Sequence, residues 1–216
     1  MLRFACVALI AFLSVARADD GMLDLRLTQS DVGKLPNKWM AAKTGKGEGS
    51  VWKVVADDSA PSKSGFALAQ TAAGPSALFN LCVADGATFK DVEIQVSFKA
   101  IRGDIDQGGG VVWRYQDADN YCVARYNPLE GNFRVYTVIA GKRKQLATAE
   151  NLKEASGAWH TIRVTHHENG EIKCYLNDKN HLTVREDKTI DKPGRVGLWT
   201  KADAQTHFDG FRASGK

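Results

Sequence analysis

The sequence has little proline and little excess of either charge, with 5 prolines, 29 basic residues and 25 acidic residues in a chain of 216. Because the charges nearly balance, the overall charge gives no reason to expect a nucleic acid or an anionic membrane as the partner. The 44% share of hydrophobic residues excludes a disordered chain, a collagen-like repeat and a membrane-spanning bundle. The chain is long enough to bury one sizeable core.

Several motifs of catalysis and metal binding are also missing. No two cysteines have the CxxC spacing of zinc ribbons and thioredoxin-like proteins. The glycine-rich stretch 45–50 lacks the Gly-x-x-x-x-Gly-Lys-Ser/Thr order of a phosphate-binding loop, and no Gly-x-Ser-x-Gly motif occurs. The basic run 142–144 has no interleaved aromatic residue, which indicates a solvated hairpin turn rather than a nucleic-acid contact.

The first 18 residues are typical of a secretory signal peptide. Residues 1–3 form a short basic segment, 4–15 form an apolar run of 12 residues, and 16–18 (ARA) match a cleavage site. Without Arg3 and Arg17 the mature chain has 27 basic and 25 acidic residues, a charge of +2. We therefore expect an exported protein, periplasmic or extracellular, with one domain over 19–216.

Three cysteines would remain after removal of Cys6 with this leader: Cys82, Cys122 and Cys174. An oxidising compartment permits a disulfide between two of them, and the spacing does not say which two. The other interpretation is that all three are buried thiols that pack as small hydrophobic side chains.

Alternation of apolar and polar residues predicts strands along most of the mature chain. It is clearest over 91–101, where Val92, Ile94, Val96 and Phe98 alternate with polar residues. The other predicted strands are 51–56, 66–70, 77–83, 111–116, 121–127, 133–139, 160–166, 172–176, 182–185, 195–200 and 206–211. Many short strands without amphipathic helices predict an all-β fold, a two-sheet antiparallel β-sandwich of jelly-roll type.

The chain also resembles secreted bacterial domains of the concanavalin-like, laminin-G-like group. The resemblance is carried by 107–114 (QGGGVVWR), 119–121 (DNY), Arg125, 127–130 (NPLE), 159–164 (WHTIRV), 174–178 (CYLND), 194–200 (GRVGLWT) and 208–211 (FDGF). It covers about 24–213 and is closest to 3-keto-disaccharide hydrolase-like and family 16 glycoside hydrolase-like domains. The resemblance implies a concanavalin-like jelly roll and is weak for function, because many such domains have no assigned activity.

Hairpin pairing predicts which residues share a sheet face. A four-residue loop at 117–120 would place Arg114 opposite Val123, and a loop closed by Asn127 and Asn132 would place Arg134 opposite Arg125. One face is then apolar and must be core; it holds Val111, Trp113, Tyr115, Cys122, Ala124 and Tyr126. The other face is the candidate ligand-binding face; it holds Arg114, Tyr121, Arg125, Asn127, Asn132, Arg134 and Tyr136.

This mixture of side chains is suited to sugars, because aromatic rings stack on C–H faces while amides and guanidinium groups bind hydroxyls. Three arginines would suit an acidic oligo- or polysaccharide in particular. The alternatives are a solvated face whose arginines pair with Glu93 or Glu130, and an interface between subunits. The sequence therefore predicts an exported carbohydrate-recognition sandwich, with a protein-binding envelope module as a further alternative.

An enzyme is the second alternative. Family 16 glycosidases carry Glu-x-Asp-x-(x)-Glu on one strand, whereas the strand here offers Glu93, Gln95 and Ser97. The best catalytic candidate is Glu130, the lone carboxylate beside the arginines. It could serve as the base of a keto-sugar-cleaving reaction in which Arg114 or Arg125 stabilises an enolate.

No cofactor is required by any motif. Adjacent His166 and His167 would point to opposite faces of a strand and cannot hold one metal together, so we expect histidines that lie on the surface or are locally satisfied. The resemblance implies a structural calcium, for which Asp24 and Asp209 are the candidate ligands, although no calcium-loop spacing is present.

Overall fold

The computed structural model describes residues 21–185 and 189–216, and the expected leader lies outside the described residues. The strands in chain order are β1 (Met22–Asp24), β2 (Trp39–Thr44), β3 (Trp52–Ala56), β4 (Phe66–Gln70), β5 (Phe79–Ala84), β6 (Val92–Arg102), β7 (Gly109–Asp117), β8 (Asn120–Asn127), β9 (Asn132–Ile139), β10 (Lys142–Ala149), β11 (Trp159–His166), β12 (Glu171–Leu176), β13 (Lys179–Arg185), β14 (Arg195–Lys201) and β15 (Gln205–Gly215). A 3-10 helix spans Gln29–Asp31, and no helix in these two ranges is long and apolar enough to cross a membrane.

The strands form two antiparallel sheets. Sheet A has the order β13-β12-β11-β6-β15-β4-β3, with β1 paired to β15, and sheet B has the order β10-β9-β8-β7-β14-β5-β2. All twelve predicted strands are present, and the predicted two-sheet antiparallel sandwich is confirmed. Three further strands, β1, β2 and β10, were not predicted. Strand β10 is an edge strand in which Lys142 and Lys144 are exposed, and charged edges lack the alternation of a half-buried strand.

The main core lies between the two sheets. It receives the apolar residues of β6 and, as predicted, Trp113, Cys122, Ala124 and Tyr126 of sheet B. Cys82, Cys122 and Cys174 are buried free thiols, so the second interpretation of the cysteines is the correct one.

Sheet B carries a second apolar cluster on its opposite side, which we call the concave cluster. Its members are Phe79, Leu81, Val83, Val112, Tyr115, Tyr121, Val123, Tyr136, Val138 and Trp199. The Arg143 guanidinium lies 4.3 Å from the Tyr136 ring centroid and 5.1 Å from that of Phe79. Those rings belong to β9 and β5, four strands apart, which a flat sheet would separate by about 19 Å. Sheet B is therefore strongly curved around this cluster.

Candidate functional site

The pairing of β8 with β9 brings most of the predicted ligand-binding residues together. Asn127 pairs with Asn132, Arg125 with Arg134, and Val123 with Tyr136, as the sequence predicts. The face that they share is the side of sheet B that carries the concave cluster.

Arg114 does not lie on this face, so its predicted place there is wrong. Val112 pairs with Val123, and Gly110 with Arg125, two residues away from the predicted register, because the ladder is interrupted by a bulge between Trp113 and Asp117. Arg114 has a φ of 47° in this bulge and turns towards sheet A. Its Nη1 donates to the carbonyl of Ile190 at 2.7 Å, and its Nε and Nη2 donate to the carbonyl of Lys90 at 3.3 and 3.2 Å.

Tyr115 changes places with Arg114 and was wrongly predicted to lie in the main core. It belongs to the concave cluster, where its ring is stacked with Tyr121 at 6.2 Å. An irregular bulge reverses the alternation of side chains between the two faces. Pairing residues outward from the loop at 117–120 assumes a regular ladder and cannot reveal such a bulge.

The tyrosines of the predicted face are buried rather than displayed. Tyr121 is 0% exposed and Tyr136 is 3% exposed. The Tyr121 hydroxyl shares a hydrogen bond of 2.8 Å with Thr44 of β2, and burial raises its pKa to about 12. The tyrosines therefore form the floor of a covered face instead of an open platform for sugar stacking.

An accessible polar network lies beside this floor, at the outer end of β8 and β9. Glu130 Oε2 accepts hydrogen bonds from Arg125 Nη2 at 3.1 Å and from Asn132 Nδ2 at 2.9 Å, and Arg134 Nη1 lies 3.7 Å away. Arg134 Nη2 donates to Glu150 Oε1 at 3.1 Å. We call these five residues the Glu130 network. Its two carboxylates balance its two guanidinium groups.

Asn127 supports this network from the loop. Its Oδ1 accepts the backbone N–H groups of Leu129 and Glu130 at 2.9 and 3.3 Å, and its Nδ2 donates to Asp106 Oδ1 at 3.1 Å. Asp106 Oδ2 accepts from Lys201 Nζ at 2.9 Å. Burial raises the pKa of Asp106, although the hydrogen bond with Lys201 opposes it.

Glu130 is poorly suited to act as a catalytic base. Burial would raise its pKa, but the hydrogen bond from Asn132 and the charges of Arg125 and Arg134 outweigh burial and lower the pKa. A carboxylate with a lowered pKa accepts protons weakly. Glu93, the other predicted partner of these arginines, lies in β6 of sheet A, where Arg163 Nη1 is 3.5 Å from it.

The two calcium candidates line one pocket of about 310 Å³ beside β1 and β15. Asp24 is 3.2 Å from Arg26 Nε and 3.9 Å from Arg212 Nε. Asp209 accepts hydrogen bonds from the backbone N–H and the hydroxyl of Ser62 at 2.7 and 2.8 Å. Within the described residues, no group of three or more metal-ligating side chains is arranged to hold a metal. Calcium binding here stays a prediction.

No model of a known protein family matches the chain, and no curated protein matches it. Among solved structures, the carbohydrate binding module CBM66 from Bacillus subtilis matches 82% of this chain and 96% of its own, with a TM-score of 0.64 and 15% identity. A protein of unknown function with a galectin-like fold from Bacillus subtilis matches 87% of this chain and 91% of its own, with a TM-score of 0.59 and 11% identity. The carbohydrate recognition domain of Emp47p matches 84% of this chain and 90% of its own, with a TM-score of 0.53 and 15% identity. The chain has a concanavalin-like β-sandwich fold. At these identities the likeness establishes the fold alone.

Sequence reasoning missed several polar residues of this concanavalin-like sandwich. Arg143 was assigned to a solvated turn, yet it covers two rings of the concave cluster. Asp106, Lys201 and Glu150 are far in sequence from Arg125 and Arg134, and no spacing in the sequence links them. The hairpin that joins β9 to β10 is a usable signal, because it places β10, which contains Arg143 and is followed directly by Glu150, beside the strand that carries Arg134.

Proposed function

We propose that this protein is an exported carbohydrate-recognition module that binds a glycan at the Glu130 network. The observation that carries the proposal is the accessible Glu130 carboxylate. It accepts hydrogen bonds from Arg125 and Asn132 and forms an ion pair with Arg134. Sugar hydroxyls both donate and accept hydrogen bonds, and prearranged carboxylate, amide and guanidinium groups match both roles. The carbohydrate-binding names of two similar folds support the proposal.

The network divides into residues that contact a sugar and residues that position them. The side chains of Glu130, Glu150 and Arg134 are 40%, 44% and 26% exposed, so they can contact a ligand. Arg125 and Asn132 are each 2% exposed, and their hydrogen bonds fix the Glu130 carboxylate. Because the charges of this network balance, it favours the hydroxyls of a sugar rather than an acidic group.

Two further assignments stay predictions. The relationship to 3-keto-disaccharide hydrolase-like domains rests on the sequence motifs, and export to the periplasm or the medium rests on residues 1–18. The lowered pKa of Glu130 makes binding without cleavage the better-supported activity.

The test is calorimetric and NMR titration of the mature protein with a panel of neutral and acidic oligosaccharides. Arg134→Ala should weaken glycan binding about tenfold or more, because a hydrogen bond to a charged group is worth about 1.5–3 kcal/mol. Arg163→Ala is the matched control: Arg163 is 25% exposed at its side chain and also lies near a glutamate, but it belongs to sheet A. Its substitution should leave binding unchanged.

Three results would contradict the proposal. Absence of binding to every glycan in the panel would favour the protein-partner alternative. Equal losses in the two arginine variants would place the site elsewhere. New sugar resonances that grow over hours and disappear in Glu130→Gln would make the protein an enzyme.

A further inference from the structure

The covered face of sheet B contains four buried polar atoms that have no hydrogen-bond partner in the described part of the chain. They are Arg125 Nε, Arg143 Nη1, the Tyr136 hydroxyl and Trp199 Nε1. The last two still interact with neighbouring side chains outside hydrogen-bond geometry, Trp199 with Tyr121 and Tyr136 with Arg134. Buried polar atoms in folded proteins are nearly always paired. Four of the eight unpaired atoms in the described residues lie on this one sheet face, and two of them are guanidinium N–H groups, which is a signal for a bound group. Three are donors, and the tyrosine hydroxyl can also donate.

The sheet register brings these side chains to one place. Arg125 and Trp199 both pair with Gly110, so they flank a residue that has no side chain. Tyr136 lies one strand beyond Arg125, in β9, and the Arg143 guanidinium lies 4.3 Å from its ring centroid. All four side chains therefore project towards the concave cluster.

The charge on this face is unbalanced at one residue. Arg125 is neutralised by Glu130, whereas no carboxylate of the described residues lies within ion-pair distance of Arg143. Burial lowers the pKa of Arg143, and the charge of Arg125 acts in the same direction. Tyr136 and the Asp106 carboxylate, which lies beyond ion-pair distance, oppose this shift without cancelling it. A half-buried guanidinium with no carboxylate within ion-pair distance gains most from an anion that it can bind through two N–H groups.

We propose that this face receives the anionic group of an acidic saccharide, a carboxylate or a sulfate, between Arg143, Arg125, Tyr136 and Trp199. The inference rests on the proposed glycan function and specifies its substrate class. The Glu130 network binds the hydroxyls of the sugar, and Arg143 supplies the positive charge that this network lacks.

Access to the site depends on Arg143 itself. It lies in the edge strand β10, directly after the turn at Ala140 and Gly141, both of which have positive φ. Its side chain is half-buried and can turn towards solvent without breaking the pairing of β10 with β9. In the proposed binding event this movement uncovers the rings of Tyr136 and Phe79, and the Arg143 guanidinium then closes over the bound anion.

The first experiment tests the anion alone. Sodium sulfate is titrated into the protein at constant ionic strength set with sodium chloride, and the indole N–H signals of the five tryptophans are followed by NMR. The Trp199 signal, assigned with Trp199→Phe, should shift saturably with sulfate. Arg143→Gln should abolish the shift, and Tyr136→Phe should weaken it. Arg163→Gln, which removes a guanidinium stacked 3.7 Å from the Tyr175 ring in sheet A, should not affect it.

The second experiment compares one neutral disaccharide with its uronic-acid and sulfated counterparts. We expect at least one acidic member to bind about tenfold tighter than the neutral one, and Arg143→Gln to remove this preference without weakening neutral binding. Equal binding of all three sugars, with loss in Arg134→Ala, would overturn the anion site and leave the proposed function intact. A sulfate-dependent shift of Trp199 without binding of any saccharide would support an anion site and overturn the proposed glycan-binding function. If Trp199 responds to sulfate no more than to chloride, the four atoms are structural and the inference is wrong.

Discussion

Several buried polar side chains in this sandwich form hydrogen bonds with side chains that are distant in sequence. Lys201 Nζ donates to Asp106 at 2.9 Å, and Trp113 Nε1 donates to His166 Nδ1 at 2.8 Å inside the main core. His166 is 0% exposed, and burial lowers its pKa from 6.5 to about 3, with a contribution from the charge of Arg114. Its Nδ1 is paired within the core, and the ring is neutral in the folded protein.

The pH dependence of stability should therefore contain a contribution from His166. The unfolded chain takes up a proton near pH 6.5, whereas folded His166 does so only near pH 3. Its contribution to stability is complete above pH 6.5 and is lost as the pH falls, by about 1.4 kcal/mol per pH unit. Between pH 6.5 and 5 the unsubstituted protein should lose about 2 kcal/mol more than His166→Gln, measured by urea unfolding.

The control for this measurement is the neighbouring His167, which is exposed. His167→Gln should keep the steep loss of stability of the unsubstituted protein. Equal slopes for His166→Gln and the unsubstituted protein would show that burial does not lower the pKa of His166.

Among the elements, β7 determines how the two faces of sheet B are arranged. Its bulge sends Arg114 to the sheet A side and Tyr115 to the concave cluster. Its glycine at 110 lies so close to β8 that an added Cβ would be 2.1 Å from the carbonyl oxygen of Ala124 and 2.8 Å from the Cβ of Arg125. The close approach of these two backbones holds Arg125 in place.

Gly110→Ala should consequently destabilise the protein. The clash is with the backbone of a central strand, so we expect a loss of about 1–3 kcal/mol in the free energy of unfolding. Gly49→Ala is the matched control, because nothing lies within 4 Å of the added Cβ and no positive φ is required there. It should change stability by less than about 1 kcal/mol, or increase it slightly. Denaturant unfolding of both variants is the measurement, and similar effects of the two would argue against the close packing of β7 and β8.

At the scale of the whole molecule, no disulfide among the described residues joins the two sheets. Cys82 and Cys122 lie in sheet B and Cys174 lies in sheet A, and all three are free and buried. Burial raises the pKa values of the Cys82 and Cys174 thiols, which suppresses the reactive thiolate form.

The mature protein should therefore show no rapidly reactive thiol when it is folded and three when it is denatured. Its midpoint of thermal unfolding should be the same with and without a reducing agent. The check is thiol titration with a chromogenic disulfide, combined with the intact mass. A mass 2 Da below the fully reduced value would reveal a disulfide and contradict the structure.

Most of the fold could be predicted because it depends on local pattern. The alternation over 91–101 and the separation of short strands by turns suffice for a two-sheet sandwich, since a strand with one buried face must alternate. Strand β10 escaped prediction because an edge strand with lysines buries little.

The residues themselves determined the pairing of β8 with β9, and with it the meeting of Arg125, Arg134 and Tyr136, because the short loop at 128–131 allows one simple register. The bulge at Arg114 and the curvature of sheet B were decided only by the tertiary structure. Both depend on contacts between distant segments, of Arg114 with Lys90 and Ile190 and of Arg143 with Phe79. A pattern of neighbours in sequence carries no information about such contacts, and they are what convert the predicted open face into a covered one.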